Sequence, residues 1–225
     1  MLSSFSPQPP YIPNTGKAKV FVLACIDPRF TSYLSWFLNY QKQLGHNYDL
    51  FVLAGASIGV NQAISGSPHF PLANPLSTPP VFPTWSTTFI DNLRFGIALH
   101  NITNIWVFDH SRCGAYQAFL NLGTEYETDQ NHIDQIATLY AYLQTNPAGS
   151  PNLPTAVADI DLSNLNYRGF LMDIDGRIRM VETDTNDENH LEDVELNFSV
   201  DQVNQLWKYA TIALGIFVFI QAIRK

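Results

Sequence analysis

Cysteine is nearly missing from this 225-residue chain: there are two, too few for the disulfide framework of a small secreted scaffold. Charge is scarce as well, at 14% of residues against about 25% in an average globular protein. Basic residues are the scarcer sign, with 12 Lys and Arg against 20 Asp and Glu, and the net charge of −8 leaves no electrostatic footprint for nucleic acid. Residues 1–14 are polar and proline-rich, without the apolar stretch of a secretory signal. Reduced thiols in a reducing intracellular compartment, cytoplasm or organelle, are therefore expected. Apolar residues are plentiful: 46% hydrophobic and 13% aromatic is the composition of a packed body rather than a disordered chain.

Both cysteines sit at the ends of apolar runs. Cys25 follows Val20-Phe-Val-Leu-Ala24 and opens Cys25-Ile-Asp-Pro-Arg29; Cys113 closes His110-Ser-Arg-Cys113, which follows Ile105-Trp-Val-Phe108. Two chemistries suit such a pair, a disulfide or shared ligation of a metal. Two thiolates and the His110 imidazole make a Cys2His set, and three protein ligands leave zinc a fourth position for water, as in catalytic sites.

Continuous apolar runs of strand length suit the interior of a parallel sheet. Lys19–Cys25, Asp49–Ala54 and Ile105–Phe108 read as three such buried strands. Helices are expected between them: one after Thr31 or Ser32 with Leu34, Phe37 and Leu38 at helical spacing, stopped by Gly45; one capped by Ser86 with Phe89, Ile90, Leu93 and Ile97 on one face; one from Gly114; and one over Asp129–Thr145 with Ile133, Ile136, Tyr140 and Leu143 inward. Tyr167–Val181 reads as a hairpin turning at Asp175-Gly176. Strands alternating with helices predict an α/β fold with a central, mostly parallel sheet flanked by helices and a late edge strand. In such sheets the site lies at the carboxyl ends of the strands, where Cys25, His110 and Cys113 fall.

The flanks differ from this body. Residues 1–16 hold four prolines and read as an extended arm; 65–83 hold six and read as a surface insertion. The carboxylate-rich stretch 183–198 reads as a solvated linker. Within 199–225, the run Tyr209–Ile223 carries no charge, and as a helix it would span about 22 Å. That is shorter than the ~20 residues of a membrane span, yet Trp207, Lys208, Arg224 and Lys225 flank it as an interfacial anchor would. A membrane anchor and a helix buried on the body or a partner are both compatible with it.

Cys-x-Asp-x-Arg after one strand and His-x-x-Cys-Gly after a later one resemble the zinc signature of the β-class carbonic anhydrases. Asp49-Leu-Phe-Val-Leu-Ala-Gly55, Phe89–Leu99 and Gly169-Phe-Leu-Met-Asp-Ile-Asp-Gly176 resemble further family elements, so the likeness covers residues 17–182. It implies that Cys25, His110 and Cys113 hold Zn2+ and that Asp27 and Arg29 form the catalytic dyad, otherwise an ordinary strand-end ion pair. It implies reversible hydration of carbon dioxide to bicarbonate by a zinc-bound hydroxide, water having its pKa lowered from about 15.7 toward 7. It also implies a homodimer or higher oligomer, and a form in which Asp27 closes onto the metal.

The chain departs from the family pattern in places. Leu53 and Ala54 stand where an Arg-Asn pair is common, and Pro28 where a serine is frequent. Another linear triatomic such as carbon disulfide would suit the same ligands. The rival expectation is a carbonic-anhydrase-like structural subunit of a membrane-associated complex, weak or inactive in catalysis. The other histidines (His46, His69, His100, His132 and His190) fall in loops or at helix ends and are expected at the surface.

Overall fold

The run Val20–Ala24 forms β1, all five residues buried, because it lies between two parallel neighbours: β2 (Tyr48–Val52) and β3 (Asn104–His110). β3 pairs in parallel with β4 (Asn166–Met172). Beyond Gly176 the chain reverses and β5 (Ile178–Val181) pairs antiparallel with β4, then β6 (Leu191–Asp193) with β5. The sheet order is β2-β1-β3-β4-β5-β6, an α/β architecture with a mostly parallel sheet flanked by helices. The computed structural model describes residues 17–45, 47–62, 84–120, 122, 124–181 and the strand 191–193. The arm 1–16, the insertion 65–83, the apolar run 199–225 and His46, His69 and His190 lie outside the described residues. So does most of the acidic stretch, of which Leu191–Asp193 is the sixth strand rather than linker. Among the described residues no helix is long and apolar enough to cross a membrane.

Among the same residues, six helices connect the strands: α1 (Thr31–Trp36), α2 (Ser57–Asn61), α3 (Trp85–His100), α4 (Gly114–Leu120), α5 (Asp129–Gln144) and α6 (Thr155–Ala158). Alternation along the strands divides the core. Phe21 and Leu23 of β1 with Ile105 and Val107 of β3 pack against Leu93 of α3 and Ile136 and Leu139 of α5. Val20, Val22, Trp106 and Phe108 face the other way, onto Phe30, Leu34, Phe37 and Leu38. Each such side chain contributes about 1.5–3 kcal/mol on burial.

Several expectations change at this level. β2 is not a buried strand but the sheet's edge, with Leu50 and Val52 each 50% exposed. Helix α1 starts without a side-chain cap on Phe30 and widens over Phe37–Gln41, where the Lys42 amide donates to the Phe37 carbonyl. Helix α3 starts at Trp85, one residue before the expected Ser86 cap. Helix α5 is capped by Thr128, whose hydroxyl and amide pair reciprocally with Asn131, and Leu139 rather than Tyr140 is buried. The hairpin turns as expected at Gly176, where φ is +88° and a Cβ would strike Tyr33.

Candidate metal centre

Cys25 follows the last residue of β1, and His110 is the last of β3. Ala24 lies opposite Phe108 in the register, so both strands deliver these side chains at one end of the sheet. Arg112, in the left-handed conformation at φ +56°, turns the chain so that Cys113 returns to the same spot. The ligand atoms of Cys25, His110 and Cys113 all lie within 4.8 Å of one another.

The donor set fits zinc. The two sulfurs are 3.9 Å apart, and two thiolates at about 2.3 Å from a tetrahedral ion would be about 3.8 Å apart. Both cysteines are free, and this separation is far from the ~2.05 Å of a disulfide. His110 Nδ1 is 3.0 Å from the Ser111 carbonyl; a carbonyl only accepts, so the proton sits on Nδ1 and Nε2 keeps its lone pair. That Nε2 is buried without a hydrogen-bond partner, an expensive arrangement unless an electrophile receives it. Phe30 stacks on the imidazole at 4.1 Å and holds its plane.

One sulfur is prepared for ionisation at the expense of the other. Cys25 is lowered to about 4, first by the hydrogen bond from Cys113, against burial, with the Gly55 amide assisting. The same hydrogen bond pushes Cys113 up, while the amides of Ala115 and Tyr116 at the start of α4 pull the other way. Gly55 donates to Cys25 Sγ at 3.3 Å. Its φ of +78° and the contact a Cβ would make with Ile58 require glycine there.

Asp27 and Arg29 stand beside the ligands, outside the mutually close set. Arg29 Nε and Nη2 donate to the Asp27 carboxylate at 2.7–3.1 Å, and Nη2 also reaches the Arg112 carbonyl at 2.9 Å. The guanidinium holds Asp27 down at about 2. Asp27 Oδ2 is 3.9 Å from His110 Nε2. The Asp27 and Arg29 side chains are 18% and 47% exposed, so the dyad forms the solvent side of the cluster. Leu53 and Ala54 pack on Gly59 of α2 and bring no charged or amide side chain to the site.

The buried side holds residues that the sequence pattern does not single out. Asp109 accepts from the Ser57 amide at 3.1 Å, the Ser57 hydroxyl and the Tyr116 hydroxyl. His132, expected at the surface, is 1% exposed, with Nδ1 3.5 Å from Asp109 Oδ2 and Nε2 3.3 Å from Glu127 Oε1. Glu127 Oε1 accepts from the Cys113 amide at 2.8 Å. Nε2 makes a hydrogen bond with Glu127, whereas Nδ1 faces Asp109 as an ion-pair contact without one. Burial opposes charge on His132, but the two facing carboxylates outweigh it and raise its pKa. The available signal was Asp109, a carboxylate inside a strand of buried apolar residues, which must find donors. His100, the other described histidine outside the ligand set, is part-exposed and pairs with Asp49 at 2.7 Å.

No protein-family model matches the chain, and no curated protein matches it. Among solved structures it is similar to a tetrameric β-carbonic anhydrase from the filamentous ascomycete Sordaria macrospora, with 18% identity over 73% of this chain and 81% of the other, at a TM-score of 0.32.

Proposed function

We propose that the chain is a zinc-dependent lyase that reversibly hydrates carbon dioxide to bicarbonate at Cys25, His110 and Cys113. The observation that carries this reading is the buried, unpartnered His110 Nε2 beside two free sulfurs at tetrahedral spacing, with an ionised Asp–Arg pair alongside. Zinc bound there supplies Lewis acidity that lowers the pKa of a coordinated water toward about 7.

The chain's own residues do the rest. Ionised Asp27 only accepts hydrogen bonds, so it orients a water O–H placed at the ligand cluster. Arg29 fixes that carboxylate through both oxygens and ties it to the 110–113 turn at the Arg112 carbonyl. Its half-exposed positive charge also favours a departing or arriving bicarbonate. Phe30, buried over the His110 ring, keeps water off the imidazole.

Free thiols are in keeping with a reducing compartment, and exposed Leu50 and Val52 on the edge strand offer a second copy a place to pair. Docking of residues 207–225 on a bilayer or partner belongs to the same proposal; truncation after Glu195 should leave a folded, zinc-containing chain. The central test is metal content together with stopped-flow hydration of carbon dioxide. Zinc binding with hydration at pH 7 or 8.5 supports the enzyme. A zinc-loaded chain inactive at both would favour the structural-subunit reading.

A further inference from the structure

Strand alternation sends His110 and Asp109 to opposite faces of the sheet. His110 meets Phe30 on one side, while Asp109 meets Ser57, Tyr116 and His132 on the other. Whatever fixes Asp109 therefore fixes the backbone that presents the neighbouring ligand. Cys113 is held in a similar way, through its amide on Glu127 Oε1. His132 lies between the two carboxylates, on the first turn of α5, hydrogen-bonded to Glu127 through Nε2 and facing Asp109 at 3.5 Å through an Nδ1 that makes no hydrogen bond, with its ring 4.0 Å from that of Tyr116.

We propose that His132 is a positioning residue of this centre: by bridging Asp109 and Glu127 it clamps together the two backbone segments that present His110 and Cys113. The proposal rests on the zinc reading above. Both carboxylates are buried beside the thiol pair, and a buried carboxylate without donors is costly. Glu127 Oε2 is buried without a partner, so Glu127 depends on what its other oxygen meets, namely His132 and the Cys113 amide. An apolar side chain could fill the same volume under α5 but could not hold the two carboxylates at their present separation. With the bridge gone, Glu127 is free to turn and the Cys113 amide loses its acceptor. A core histidine would matter to stability alone; a clamp matters to ligand geometry in a chain that stays folded.

The test uses the full chain with His132→Leu and His132→Asn, the latter keeping a donor on the Asp109 side and losing the reach to Glu127. Three signals are read: cooperative thermal unfolding, cobalt(II) affinity by chelator competition with its visible spectrum, and hydrogen exchange at the Cys113 amide in metal-free protein. In folded His132→Leu, cobalt affinity should fall about 10–100-fold, its visible bands should shift, and Cys113 exchange should rise about tenfold or more over wild type while Val22 on β1 is unchanged. Unchanged affinity, spectrum and Cys113 exchange in the folded variant would overturn the clamp. If His132→Leu fails to fold, His132→Asn is read the same way, and unchanged Cys113 exchange there overturns it too. A wild-type chain that takes neither cobalt nor zinc would sink the zinc reading by itself. Cys113 exchange in the metal-free variants would then decide the clamp alone.

Discussion

Two carboxylate networks flank Cys25, His110 and Cys113, and they are built on opposite principles. The outer one, Asp27 with Arg29, is local: two residues apart in sequence, open to solvent, and joined by several charge-assisted hydrogen bonds. The inner one, Asp109 with Ser57, Tyr116, His132 and Glu127, draws on β3, α2, α4, α5 and the segment before α5 and is closed to water. An exposed ion pair contributes little to stability because water competes for both partners. Buried polar groups contribute or cost much more, because nothing replaces a lost partner. The outer network can thus be altered with little harm to folding, whereas a partner lost from the inner one leaves buried groups unsatisfied and costs stability.

The strongest way to break that contrast is through the three side chains that lie between the networks. Cys113→Ser should reduce zinc from about one per chain to background by elemental analysis, with the sheet intact by circular dichroism. Undiminished zinc would remove the centre from between the two networks. Next in size, Asp27→Ala or Arg29→Ala should retain zinc while hydration falls by about 10²–10⁴-fold in stopped flow. Loss of zinc in these variants would make the outer pair structural.

Asp109→Ala sharpens the other side. It leaves the Ser57 amide, the Ser57 hydroxyl and the Tyr116 hydroxyl without their buried acceptor, which should cost about 3 kcal/mol in urea unfolding. Asp27→Ala should cost under about 1 kcal/mol in the same assay, and equal costs would erase the distinction.

The smallest effect is on pH dependence. Asp27 is depressed in the folded chain to about 2 by Arg29, against about 3.9 unfolded. Its stabilising contribution is therefore complete above the unfolded value and is lost as pH falls through about 2. The wild-type advantage over Asp27→Asn should shrink from pH 5 to pH 2, and an advantage that grows on acidification would contradict the pairing.

The outer network is legible in the amino-acid sequence. Cys25, Asp27 and Arg29 lie within five residues, and His110 and Cys113 within four, each group directly after an apolar run that had to be a strand. The hairpin is legible for the same reason, since Asp175-Gly176 carries its turn chemistry locally. The edge position of β2 is not. Leu50-Phe51-Val52 reads like the interior of β1, and only strand order shows that, among the described residues, β2 has no neighbour on one side. His132 reads as a surface residue because it sits in the first turn of α5, where polar residues are ordinary. The face it occupies is set only by the packing of α5 beneath β3.

By itself the sequence determined what is encoded over short distances: alternating strands and helices, the strand ends at which ligands could sit, and the chemistry of a Cys2His set. Tertiary structure decided which groups far apart in the chain would share one buried volume: Ser57, Asp109, Tyr116, Glu127 and His132 behind the ligands, and the two sulfurs 3.9 Å apart in front. Periodicity and turn chemistry act through adjacent backbone. Burial and hydrogen bonding between distant segments arise only when the sheet order brings those segments together.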